Sequence, residues 1–242
     1  MSHRRCVSKG RVFRMSFIVN VLHRDFSLLV ADRLVTTNGP TILSLGDLTI
    51  HAEKGAVITG FAKLRANADR SVALGMAGNA YQHLYLPEFE TSRGINDAIS
   101  VIDSHVDKYM RFCDRKQFAG EASIPRQVGV LSFFDAETDC YFSLLYEFSL
   151  AHKIMRMQKA PDSRLSLIVR GSGCRSFASL EIEEGVNRLS AAVGTENDYD
   201  KCLKWLIPIY DVISKEEPSV GATIIAWVSV RSHPQFQEVY RS

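Results

Sequence analysis

The amino-acid sequence predicts an α+β fold, with antiparallel sheets packed together and helices on the outside. Three observations carry this. Apolar runs of strand length are joined by short polar turns, first in SFIVNVLHRDFSLLVAD and again in VGVLSFFDAETDCYFSLLYE. Helical periodicity comes in two blocks rather than after each strand. The resulting order (strands, helices, strands, helices, strand) lacks the βαβα alternation of a doubly wound parallel sheet. The 242 residues are ample for a sizeable core. No repeat or interdomain linker interrupts them, so 16–242 is expected to form one domain behind a short leader, 1–15.

Taken in order, strands are expected at 16–22 and 27–31 about the turn His23-Arg24-Asp25, then at 41–45, 48–51, 56–59 and 71–76. The last runs into Gly75-Met76-Ala77-Gly78. A helix is expected from about Asn79 toward Leu84, limited by Pro87. Ile95, Ile99, Ile102, Val106, Tyr109 and Met110 recur at helical spacing and predict an amphipathic helix over 95–112. A polar loop over 114–126 leads to strands at 128–134 and 140–147. A strand at 165–169 ends in Arg170-Gly171-Ser172-Gly173. Helical regions follow at about 175–192, and again where Tyr199, Leu203, Leu206, Ile207, Tyr210 and Ile213 share a face. Pro208 should kink or split the second. An apolar strand at 222–230 closes the series.

Composition excludes several classes. Lys+Arg number 29 and Asp+Glu 27, a formal +2, which argues against a nucleic-acid or membrane-surface protein. Five of the basic residues lie in 1–14, which holds no acid. Without those five, 24 basic residues face 27 acidic ones, a formal −3 for the rest. No apolar run approaches a membrane span, and the leader lacks the apolar core of a secretory signal. The five cysteines are odd in number and form no C-x-x-C, which fits a reducing cytoplasm better than a disulfide framework. The seven histidines form no H-x-H or H-E-x-x-H, so a metal centre has no support.

One set of spacings carries chemistry. Ser16 opens the first strand directly after Met15. Asp32 follows sixteen residues later, at the end of the second strand. Lys63 precedes Gly75 by twelve residues in KLRANADRSVALGMAG. This ordered set resembles the proteasome β-subunit and HslV-type family of N-terminal-nucleophile hydrolases. Their mature chains begin with Thr or Ser on a first strand, carry an Asp sixteen positions on, then a Lys, then a strand ending in G-x-x-G. Downstream, Gly171-Ser172-Gly173 matches the family's G-S-G before its third helix. Glu216-Glu217-Pro218-Ser219 falls where the family has D-x-x-S. The resemblance covers about 16–230 and implies a four-layer α-β-β-α sandwich.

It also implies roles. Ser16 would be the nucleophile, with its own α-amine as base. Lys63, oriented by Asp32, would support that amine and stabilise the alkoxide, with Lys54 as the fallback lysine. The Gly75 N–H would face the oxyanion. Ser172, Glu216 and Ser219 would form a polar shell around the amine, and Val35, Ala73 and Ala77 would line an apolar specificity pocket. No cofactor is implied. The expected substrate is a peptide or unfolded protein, and the expected assembly is a homo-oligomeric ring, with an ATP-driven unfoldase as a partner for which no docking segment is legible. The chain departs from the family in using Ser where ring proteases mostly use Thr, in a longer stretch between Asp32 and Lys63, and in Glu216 for Asp. Met15, not Gly, precedes Ser16, which fits removal of an initiator Met15 better than self-cleavage. The alternatives are a non-catalytic subunit of the same fold and a small-molecule amidase using the same site.

Overall fold

The computed structural model describes residues 17–36, 41–45, 48–52, 57–59, 61, 63–77, 86–115, 127–149, 152–180 and 182–242. Its strands are β1 (Phe17–His23), β2 (Phe26–Asp32), β3 (Val35–Thr36), β4 (Thr41–Leu45), β5 (Leu48–Ala52), β6 (Val57–Ile58), β7 (Leu64–Ala66), β8 (Val72–Ala77), β9 (Gln127–Asp135), β10 (Cys140–Ser149), β11 (His152–Lys159), β12 (Ser166–Gly171), β13 (Ile224–Val230) and β14 (His233–Arg241). The helices are α1 (Leu86–Thr91), α2 (Gly94–Arg115), α3 (Cys174–Ser179), α4 (Ile182–Ala192) and α5 (Tyr199–Glu216). The fold is α+β, built on two antiparallel five-stranded sheets. One has the order β12-β1-β2-β13-β14 and the other β11-β10-β9-β8-β7. Two-stranded ribbons, β3–β6 and β4–β5, occupy the segment between β2 and β7.

Side-chain alternation along the strands assigns each face a neighbour. On β1, Phe17, Val19 and Val21 join Leu206, Tyr210 and Ile213 of α5 in one apolar cluster. The intervening Ile18 and Leu22 join Leu64, Ala73, Val130 and Tyr141 of the second sheet. That sheet's other face packs Val72, Leu74 and Met76 against Phe89 of α1 and Ile102 and Val106 of α2. Both faces of β1 and β2 are thus covered, and all fourteen of their residues are buried. This is why their sequences read as nearly continuous apolar runs. Burying each Val, Leu, Ile or Phe here contributes about 1.5–3 kcal/mol.

Several expectations are corrected. Pro87 sits in the first turn of α1, where a missing N–H costs nothing. The expected helix near 79–84 lies outside the described residues. The 175–192 region is two helices, α3 and α4. Helix α5 runs unbroken through Pro208, because Leu203, Leu206, Tyr210 and Ile213 are buried on the sheet and outweigh a proline cost of about 3 kcal/mol. Four strands were not anticipated: the short β3 and β7, and the longer β11 and β14, each of the last two an edge of its sheet. Among the described residues no helix is long and apolar enough to cross a membrane.

Candidate active site

The site forms where β1 begins, β2 ends and the approach to β7 crosses between the sheets. Asp32 closes β2 and is fully buried. Its Oδ1 accepts the N–H of Phe17 at 2.8 Å. Its Oδ2 accepts Lys63 Nζ at 2.7 Å and the N–H groups of Leu34 and Gly221, each at 3.1 Å. The Leu34 bond closes an Asx-type turn, so the same carboxylate ends the strand and redirects the chain. Lys63 is also fully buried and donates a second bond to the Leu34 carbonyl. An ammonium has three donors, and two are taken among the described residues.

Removing two charges from water costs several kcal/mol per ion. That cost is offset here by the short ion pair and by three backbone donors on Asp32. Burial pulls the Lys63 ammonium below its ordinary value, and the charge and hydrogen bond of Asp32 oppose it. Such tuning is typical of functional sites, although structural ion pairs share it.

The Gly-Ser-Gly turn after β12 meets the start of β1. Gly171 is the register partner of Phe17 and has φ +109°, a conformation that favours glycine. At Gly173 a Cβ would lie 2.7 Å from the Phe17 ring, so only glycine lets that ring seat. Ser172 Oγ lies 2.7 Å from Ser219 Oγ, and Ser219 donates to Glu217 Oε1 at 2.8 Å. Two residues on, the Gly221 N–H reaches Asp32. The two polar groups therefore share one segment, 217–221.

The remaining expected residues fall as follows. Glu216 ends α5 and is exposed, and Glu217 takes the role expected of it toward Ser219. Gly75 lies in β8 opposite Leu64 and Val130. The Met76 N–H turns toward the Lys63 carbonyl at 3.2 Å, and the Asn67 N–H toward that of Val72. Strand alternation then turns the Gly75 N–H toward β9, so it enters the ladder rather than facing an oxyanion as expected. A Cβ at Gly75 would sit 3.2 Å from Ile18 and Leu64 side-chain atoms, so close packing of the sheets accounts for the glycine. Ala73 and Ala77 are buried in the inter-sheet core rather than lining an open pocket. Val35, on β3, is half-buried. Ser16 and Lys54 lie outside the described residues. Among the described residues no group of His, Cys, Asp and Glu could hold a metal ion.

Sequence reasoning missed Tyr210. It reads only as an apolar position on the α5 face, yet its hydroxyl donates to the Val30 carbonyl at 3.0 Å and lies 3.4 Å from that of Phe17. Its ring packs 4.9 Å from the Phe17 ring. Burial and then the Asp32 charge hold this phenol well above its usual value, so it remains a donor that ties α5 to both strands behind Asp32. Compared with protein-family models and with curated proteins, the chain matches none.

Proposed function

We propose that this chain is an N-terminal serine hydrolase of the proteasome β-subunit and HslV type, cleaving peptide bonds through Ser16. The observation that carries the proposal is the buried Asp32–Lys63 pair set against the Phe17 nitrogen. That nitrogen is bonded to the carbonyl carbon of Ser16, so the pair abuts the backbone of the expected nucleophile. The layering of helices on the outer face of each sheet, with the sheets packed together, also fits the four-layer sandwich of that family.

In the proposed reaction a free Ser16 amine, with a pKa near 7.7–8.0, takes the proton of its own Oγ. The Oγ attacks the scissile carbonyl carbon, and the amine's proton passes to the leaving nitrogen as the C–N bond breaks. Water then hydrolyses the acyl ester. Lys63, held by Asp32 and Leu34, keeps one N–H for the developing alkoxide and disfavours protonation of the nearby amine. The Ser172–Ser219–Glu217 chain supplies hydroxyls for the amine or its water. Peptide or unfolded-protein substrates, a homo-oligomeric ring and a cytoplasmic setting belong to the same proposal.

The active form must start at Ser16, so the intact mass of active protein should correspond to 16–242. Ser16→Ala should abolish hydrolysis of fluorogenic peptides without altering oligomer size. Full turnover by Ser16→Ala, or by protein retaining the residues before Ser16, overturns the proposal.

A further inference from the structure

The second sheet ends at β11, an edge that pairs with β10 alone among the described residues. It runs eight residues in unbroken register, from Phe142↔Lys159 to Ser149↔His152. Lys153, Met155, Arg156, Met157, Gln158 and Lys159 are all exposed. We infer that this edge is a strand-addition site for an extended acidic peptide segment with apolar residues at alternate positions. The site is independent of the Ser16 chemistry.

The hydrogen-bond pattern fixes which main-chain groups face outward. The Ala160 N–H donates to the Tyr141 carbonyl at 2.8 Å, one step beyond the Phe142–Lys159 pair. Hydrogen-bonded pairs alternate along an antiparallel ladder, so Gln158, Arg156 and Ile154 turn their main-chain groups to β10. Lys153, Met155, Met157 and Lys159 turn theirs away from it. An N–H and a C=O from each of these residues therefore line the edge, the template that an added strand uses. Their side chains share a face with Leu144, Tyr146 and Phe148. Met155 and Met157 are 38% and 58% exposed, and an added strand would cover them with its own apolar side chains. Methionine adapts to partners of varied shape. By contrast, β7 has three residues, and β14 holds Pro234 and shifts register against β13. Both features blunt an edge.

Charge names the occupant. His152–Lys159 holds no acid. Lys153 pairs with Asp103 of α2 at 2.6 Å, and Glu147, the acid of β10, is taken by Arg170 at 3.2 Å. Arg156 and Lys159 are left without an ion pair among the described residues. A second copy of β11 is a poor partner. The two-fold register that brings the methionines of both copies together sets Arg156 against Arg156 and Lys153 against Lys159. Like charges directly opposite are destabilising. Edge lysines guard against self-pairing in this way, and the same charges favour an acidic strand.

The probe is fluorescein-labelled Glu-Thr-Val-Glu-Val-Thr-Glu, amidated at its C-terminus, and the control carries Lys in place of each Glu. Fluorescence anisotropy at constant ionic strength should show saturable binding of the acidic peptide, at least about tenfold tighter than of the control. Met157→Pro deletes an outward N–H and spares the β10 ladder, as proline does on an edge. It should weaken binding by about tenfold or more. The double variant Arg156→Glu/Lys159→Glu should reverse the preference between the two peptides, and it carries the test if Met157→Pro does not fold. A peptide held at the candidate active site would bind both β11 variants unchanged. That result, no saturable binding, or equal binding of the two peptides would each overturn the assignment. So would a dimer in sedimentation that Met157→Pro dissociates, since it gives the edge to a second copy.

Discussion

The β1–β2 hairpin carries two buried polar clusters. Toward its turn, Asn20 and Ser27 reach across to Ser143 and Ser132 of the other sheet. Asn20 Nδ2 donates to Ser143 Oγ at 3.0 Å, and Ser143 donates to the Leu131 carbonyl at 3.1 Å. Ser27 donates to Asn20 Oδ1 at 3.0 Å. It also lies 2.6 Å from Ser132 Oγ, which is 3.3 Å from the Phe142 carbonyl. Each hydroxyl has a hydrogen-bond partner, and no charge is involved. At the hairpin's open end, Asp32 and Lys63 form a charged cluster in which the carboxylate accepts four donors and the ammonium has two acceptors among the described residues. The neutral cluster is closed, pinning two sheets in one register. The charged cluster abuts the start of β1, where Asp32 accepts the Phe17 N–H. A buried ion pair is weak evidence for stability alone, which is the contrast the proposed function draws between the two clusters.

Breaking the charged cluster should have the largest effect. Lys63→Met leaves the Asp32 carboxylate buried with only its three backbone donors, and should cost about 3–5 kcal/mol. Asp32→Leu should cost at least as much, because it strands the Lys63 charge and also leaves the N–H groups of Phe17, Leu34 and Gly221 without their acceptor. Urea unfolding of both variants measures this. A loss under about 1 kcal/mol in either would mean that the pair is hydrated and not the buried device described above.

Ser27→Ala tests the closed cluster. It removes the donor to Asn20 Oδ1 and the hydroxyl bonded to Ser132, so about 1–3 kcal/mol should be lost, less than in the charged cluster. Under the proposed function, hydrolysis of peptides per folded molecule should be retained. If activity fell as far as in the Lys63 variant, the distinction between holding and reacting would collapse.

The two clusters also differ in how well the sequence announces them. Asp32 and Lys63 were legible through the ordered spacings that carry the family resemblance, sixteen residues from Ser16 and twelve before Gly75. Ser27, Ser132 and Ser143 sit inside apolar runs, where a serine looks like weak alternation and its partner lies across the sheet interface. Tyr210 was hidden in the same way by helical periodicity. Glu217 displaced Glu216 because the end of α5 decides which acid turns inward, and helix ends are uncertain by a residue or two. The strands that went unread are edges. In β11, Met155 and Met157 are exposed, and in β14 only Phe236 is buried, so neither shows the apolar run of a covered strand. The β4–β5 ribbon was read nearly to the residue, because its strands pair locally, whereas β3, which pairs with the distant β6, was not read.

The smallest effect comes from the turn of the same hairpin, where a titrating group sits without a close ion pair. His23 is buried and packs on Phe26, and its Nδ1 accepts the Asp25 N–H at 3.3 Å, which requires that nitrogen to be unprotonated. Burial lowers its pKa, and the Asp25 carboxylate, 3.7 Å away, opposes the shift only in part. With the folded value below the unfolded value of about 6.5, the unfolded chain binds the proton first as pH falls. The stability contributed by neutral His23 is therefore fully present above about pH 6.5 and is lost as pH drops through the folded pKa. One group can contribute a slope of at most about 1.4 kcal/mol per pH unit in that window. His23→Gln can keep an acceptor for the Asp25 N–H and cannot titrate. Its urea midpoint should fall less than that of the natural chain between pH 6.5 and 5. Parallel pH profiles would place the acid sensitivity elsewhere.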